Sequence, residues 1–127
     1  MKRGGILHPE LSAHLALLGH TDTFVIGDAG LPVPPGVARV DLAVSLGVPG
    51  FAEVLDAVLA EVETEGAVIA GEAGGSPAGA MLSARLPGAE AVPHEEFKQL
   101  PGEARFVVRT GETTPYANVI LRCGVPF

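Results

Sequence analysis

An apolar stripe that reads as helix and runs almost directly into a run that reads as buried strand is the strongest constraint on how this chain folds. Phe51, Val54, Leu55, Val58, Leu59 and Val62 recur at i, i+3, i+4, i+7, i+8 and i+11, one continuous face of a helix predicted over residues 49–64. The short apolar run 67–70 follows as a strand. The same alternation recurs along the chain. Residues 9–18 predict a helix: Pro9 suits its first position, Glu10 its positive end, Leu11, Leu15 and Leu18 its apolar face, and Gly19 its stop. Strands are predicted at 23–26, 37–44, 89–92, 104–109 and 118–122, and a helical turn at 94–99. Pro32, Pro34 and Pro35 make the segment 28–36 a stiff ordered loop, because each removes a donor and fixes φ. Residues 71–79 are rich in glycine, with a short helix expected over 80–86. Strands alternating with helices define an α/β fold, a single domain over residues 1–127 with a mainly parallel sheet flanked by helices. Sites in such folds lie at the carboxyl ends of strands.

Composition excludes several classes of function. The formal net charge is −7, and the 8 Lys and Arg are scattered, so no basic face exists to displace counterions from nucleic acid. A membrane span needs about 20 consecutive apolar residues; uncharged runs such as 42–52 are short and broken by Gly47, Pro49 and Gly50. Lys2 and Arg3 precede only four small or apolar residues before His8-Pro9-Glu10, so no signal-peptide core is present. Cys123 is the single cysteine, which rules out an intrachain disulfide and points to the reducing cytoplasm. Only 18% of residues are charged and mean hydropathy is positive. A small domain of that composition leaves apolar surface uncovered, and burial between subunits is the expected remedy.

Motifs exclude more. The chain has no G-x-G-x-x-G after a strand, no phosphate-loop lysine, no G-x-S-x-G and no H-E-x-x-H. No Cys/His spacing matches a zinc site, and neither a redox cofactor nor phosphoryl transfer is expected. What remains are polar residues near element ends. His20 follows the first helix, where the negative end of the dipole, with Asp22 or Asp28 nearby, favours an imidazolium able to donate a proton. The competing account makes His20 a cap on a free carbonyl, and from spacing alone that is the commoner outcome. His94 opens a helical turn, where a lone His is more often a cap or surface residue than a ligand. Tyr116 and Asn118 stand two apart, so a strand there would turn both to one face, able to bond a ligand's hydroxyls or to tie off the strand end. Cys123, between Leu121 and Val125, reads as a small buried hydrophobe. Arg109 and Glu112 flank a glycine turn and suggest an internal ion pair.

Two long segments carry a resemblance. Gly19-His-Thr-Asp-Thr-Phe-Val-Ile-Gly-Asp28-Ala-Gly-Leu-Pro-Val-Pro and Arg109-Thr-Gly-Glu-Thr-Thr-Pro-Tyr116-Ala-Asn118-Val-Ile-Leu resemble the signatures of the D-ribose pyranase family, which is related to L-fucose mutarotase. His94-Glu-Glu-Phe-Lys98 and the residues from Lys2 to Gly5 are similar to further blocks of it, so the likeness spans 1–72 and 94–127. Residues 73–92 depart from it, being shorter and richer in glycine than the helix usual there. Gly27-Asp28-Ala-Gly-Leu-Pro is more similar to the ribose branch than to the fucose branch. The resemblance implies His20 as the catalytic proton donor and Asp28, His94, Tyr116, Ala117 and Asn118 as residues that bind the sugar. It further implies D-ribose as substrate, no metal or cofactor, and rings of five, a pentamer or two rings stacked as a homodecamer, with sites near subunit boundaries.

The implied chemistry suits the residues. Exchanging pyranose for furanose opens a cyclic hemiacetal and closes it through another hydroxyl. A proton is delivered to the ring oxygen and one is taken from the anomeric hydroxyl. General acid–base assistance of about 10²–10⁴-fold suffices for a reaction that already runs in water. His20 is the expected acid; Asp28 and His94 are both candidates for the base. Two other readings use the same residues: a sugar-binding module without catalysis, and anomer exchange of the fucose mutarotase kind.

Overall fold

A computed structural model describes residues 1–127. Ten elements follow one another: α1 (Pro9–Ala16), β1 (Thr23–Gly27), β2 (Ala38–Asp41), α2 (Phe51–Leu59), β3 (Thr64–Ala70), α3 (Pro77–Arg85), β4 (Glu90–Val92), α4 (His94–Phe97), β5 (Phe106–Arg109) and β6 (Val119–Cys123). The strands form one six-stranded sheet in the order β2-β5-β1-β6-β3-β4. Pairs β1–β5, β2–β5 and β3–β4 are parallel, whereas β6 runs antiparallel to both β1 and β3. The expected mainly parallel α/β sheet is therefore present, with one reversed strand at its centre.

The two faces are covered differently. On one, Phe24, Ile26, Phe106, Val108, Val119 and Leu121 pack against Leu11 and Leu15 of α1, the Phe51–Val54–Leu55–Val58 stripe of α2, and Ala78 and Leu82 of α3. On the other, Val25, Val107, Ile120 and Ala70 are covered by Leu31 of the proline-rich loop, Phe97 of α4 and Ala104. That second cover is shorter than the sheet. Beyond it, an open groove of about 500 Å³ runs over Thr23, Gly66, Val68, Glu90, Ile120 and Arg122.

Several boundaries differ from the sequence reading, each for a local reason. α2 ends at Leu59 rather than near Thr64 because the sheet competes for the last turn. Thr64 pairs with Cys123, and the Gly124 amide donates to the Glu63 carbonyl at 3.0 Å. Val62 still packs on the core, so the apolar stripe outlasts the helix. β2 is confined to four residues at the sheet edge, where the Ala43 amide turns to the Asp41 carboxylate at 3.3 Å. α3 starts at Pro77, three residues before the expected helix, because the Ser76 side chain caps it by accepting from the Ala78 amide at 3.2 Å. Gly79 fits there because a Cβ would press on the Ala73 carbonyl. α1 stops at Ala16; Gly19 is not its cap but donates its amide to Asp22 at 2.9 Å.

Candidate active site

The polar residues singled out above fall into two groups at opposite ends of β1. Asp28 follows the carboxyl end of that strand and His20 precedes its amino end. At roughly 3.3 Å per residue, the five residues of β1 alone hold the two groups about 13 Å apart or more.

The carboxyl-end group is built by short bonds within the chain. Asn118, just before β6, is 1% exposed. Its Oδ1 accepts the Asp28 amide at 2.8 Å, while its Nδ2 donates to Asp28 Oδ2 at 2.9 Å. Asp28 Oδ1 accepts from the Gly30 amide at 2.8 Å. The carboxylate is thus fixed by one donor on each oxygen, and both ends of the buried amide are engaged in fixing it. Gly27 makes this approach possible, since a Cβ there would lie 2.7 Å from Asn118 Oδ1 and would collide with the Leu31 side chain. Behind it, the Thr110 hydroxyl donates to the Gly27 carbonyl at 2.8 Å.

Tyr116 and Asn118 are not strand residues of one face, contrary to the sequence reading. Tyr116 has φ = 66°, in the left-handed region, and the Asn118 amide closes a tight turn onto the Tyr116 carbonyl at 2.8 Å. Ala117 is buried between them. The turn throws the Tyr116 ring against His94, centroid to centroid 5.0 Å and edge to face. His94 does open α4, as expected, and its amide donates to Glu72 at 2.8 Å. Its Nδ1 is buried and has no hydrogen-bond partner within the chain. The structure therefore brings Asp28, His94, Tyr116, Ala117 and Asn118 together at the carboxyl ends of β1 and β4, beside the start of the reversed β6.

His20 stands apart. It does not cap α1, and neither Asp22 nor Asp28 is its partner. Asp22 is occupied by the Gly19 amide and, at 2.8 Å, by Arg105, which together hold its carboxyl below the usual carboxylate range. The partner of His20 is Glu65, a residue with no signal of its own in a run of acidic residues: Nε2 lies 3.0 Å from Oε2. The other oxygen of Glu65 is 2.9 Å from Arg122 Nε. Both Glu65 and Arg122 line the open groove.

Two remaining readings divide. Cys123 is buried, and burial pushes its thiol up, with Asp22 and Glu65 adding to the effect, so it is the inert hydrophobe expected. Arg109 and Glu112 do not pair. Arg109 is bound to Asp41, and Glu112 accepts the amides of Phe51, Thr113 and Thr114 at 3.0, 3.1 and 3.1 Å. The unsatisfied amides at the start of α2 take the carboxylate that the sequence reading gave to Arg109. No three His, Cys, Asp or Glu side chains are grouped as metal ligands, and no helix is long and apolar enough to cross a membrane.

Comparison with known proteins agrees with this architecture. The chain is 57% identical to D-ribose pyranase 1 of Rubrobacter xylanophilus over the full length of both. It superposes with a TM-score of 0.93, at 44% identity and full coverage of both chains, on Bacillus subtilis RbsD complexed with D-ribose. The fucose mutarotase of Streptococcus pneumoniae, complexed with L-fucose, shares the fold at a TM-score of 0.80 and 24% identity, with 95% of each chain covered. The family described as the RbsD / FucU transport protein family matches residues 1–126. With the match spanning essentially the whole chain, this protein belongs to that family.

Proposed function

We propose that the chain is a sugar isomerase that interconverts the pyranose and furanose forms of D-ribose, and their anomers, in ribose utilisation in the cytoplasm. The observation that carries this reading is the full-length likeness to a relative complexed with D-ribose, at 44% identity and a TM-score of 0.93. The geometry supports it in detail. Asp28, held by Asn118 and the Gly30 amide, offers a fixed acceptor for sugar hydroxyls. His94 stands beside it as a second polar side chain, and the Tyr116 ring packed edge to face on His94 offers an apolar wall.

His20 is the proton donor in this reading, and its separation from Asp28 has a consequence. One sugar cannot touch both residues of the same chain, so the site is completed by a second copy. His20 of one subunit meets Asp28, His94, Tyr116, Ala117 and Asn118 of its neighbour, and rings of five, stacked as a homodecamer, repeat that junction. Exposed Leu7, Leu17, Val44, Leu46 and Val48 supply apolar surface for such an assembly. In the reaction the ring oxygen takes a proton from His20 as the C1–O bond breaks. The anomeric hydroxyl gives up its proton to Asp28 or His94, and its oxygen becomes the aldehyde carbonyl. A different hydroxyl then closes on C1 with both transfers reversed. Saturation-transfer NMR on D-ribose with catalytic amounts of protein tests the activity. Accelerated exchange between pyranose and furanose signals is expected; ribose binding without accelerated exchange would make the protein a binding module instead.

A further inference from the structure

The environment of His20 contains more order than a surface histidine needs. Glu65 lies where the β3–β6 register slips: Thr64 pairs with Cys123 and Gly66 with Arg122, leaving Glu65 as the extra residue between them. A bulge of this kind takes a side chain out of the strand's alternation and re-aims it. Here it aims the carboxylate at two groups at once, Oε2 toward His20 Nε2 at 3.0 Å and Oε1 toward Arg122 Nε at 2.9 Å. The backbone on the other side of the ring is equally constrained. Thr21, directly after His20, sits at φ = 70°, a region a β-branched residue avoids, and its amide is tied to the Cys123 carbonyl at 2.9 Å. Strain held in place by a hydrogen bond on one side and a clamped carboxylate on the other marks a side chain whose direction matters.

We infer that Glu65, locked by Arg122, is the positioning residue of His20: it holds the proton of the neutral ring on Nε2 and leaves Nδ1 as the nitrogen that exchanges a proton with the sugar. This rests on the proposed role of His20, and it adds the atom and the device. The Nε2–H donates to Glu65 throughout. Nδ1–H protonates the ring oxygen as the ring opens, and bare Nδ1 takes a proton back as a hydroxyl closes on C1. The second-residue carboxylate that fixes a tautomer and a ring plane in this way acts without touching substrate. Glu65 and Arg122 also line the open groove beside His20.

The test reads both the ring and the rate. In protein carrying ¹⁵N-labelled histidine, His20 at a pH where its ring is neutral is expected to show Nε2 protonated and Nδ1 bare. In Glu65→Ala the tautomers should mix, and ribose exchange at saturating sugar should fall about 10- to 100-fold, the loss that follows small misplacements of a reacting group, with ribose affinity little changed. Glu65→Gln has one acceptor oxygen for two donors, Arg122 Nε and His20 Nε2–H, so its tautomer ratio and its rate should lie between those of the parent and Glu65→Ala. A neutral His20 protonated on Nδ1 in the parent protein would overturn the inference whether or not Glu65→Ala folds. So would a Glu65→Ala protein that keeps the parent rate while His20→Ala has lost it; if the parent and His20→Ala exchange ribose equally, the role of His20 itself fails instead.

Discussion

The two ends of the sheet are built on opposite principles. At the carboxyl end, Asp28 and Asn118, 90 residues apart in sequence, lock together through a nearly buried amide that spends both its donor and its acceptor inside the chain. At the amino end, His20, Glu65 and Arg122 reach toward one another across the surface, with side chains 52%, 37% and 54% exposed. Bonds of the first kind are strong because removing either partner strands a buried polar group. Bonds of the second kind are worth little in open water and gain strength only when solvent is excluded. In the proposed account the carboxyl end is the finished half of a site, and the amino end, organised in direction, is covered by a neighbouring copy. That contrast is what a site shared between two subunits requires.

The largest effect expected from disturbing this arrangement is on His20. Replacing it with alanine should slow ribose exchange by about 10²–10⁴-fold, the range of general acid catalysis, while thermal unfolding and assembly size stay as in the parent. A variant that is slow because it fails to assemble would instead place His20 among the interface contacts. The next effect belongs to the finished end. Asn118→Ala leaves the Asp28 amide and carboxylate without their partner, and should lower unfolding stability in urea by about 1–3 kcal/mol as well as weakening ribose binding in calorimetry. The contrast sharpens if His20→Ala shows no stability loss and Asn118→Ala shows both losses. It breaks if the two variants behave alike.

The smallest effect lies outside either end and serves as a control. Burial pushes the Glu112 carboxyl up, but the amides of Phe51, Thr114 and Thr113 more than offset this and hold it below its ordinary value of 4.5. A folded-state value below the unfolded one gives stability that is fully present above the unfolded pKa and is lost as pH falls through the folded one. Glu112→Gln should therefore cost about 1 kcal/mol at neutral pH, and the gap to the parent should close below pH 4.5. Urea melts of the two proteins across that range measure it, and ribose exchange should hardly change.

Much of the fold was legible because the period of the apolar residues changes wherever the structure does. The stripe from Phe51 to Val58 lies on a helix as expected, and the run expected at 23–26 is β1, one residue longer. Boundaries were lost where a distant strand competed for the same residues, as Cys123 does for Thr64. The reversal of β6 left no trace in hydropathy, since a central strand is buried on both faces whichever way it runs. In the candidate site, the residues were nameable from motif resemblance and from chemistry, but their grouping was not. Asp28 and Asn118 find each other through topology alone, and Tyr116 reaches His94 only because its backbone takes a left-handed turn that the local sequence does not demand. Glu65 illustrates the limit best. In the run Glu61-Val-Glu-Thr-Glu65 it reads as one more solvated charge, and only the slipped register shows where it points.

The central claim is that a complete site takes His20 from one copy and Asp28 from another, and mixed assemblies test it most directly. His20→Ala and Asp28→Ala chains, each inactive alone, are co-expressed so that they assemble together, and ribose exchange is measured by NMR on the purified mixture. In a symmetric ring with random mixing, about a quarter of the junctions join an intact His20 to an intact Asp28, so about a quarter of the parent rate should return. A mixture that assembles fully and stays as inactive as its components would contradict the shared site, and with it the account of why the two ends of this sheet differ.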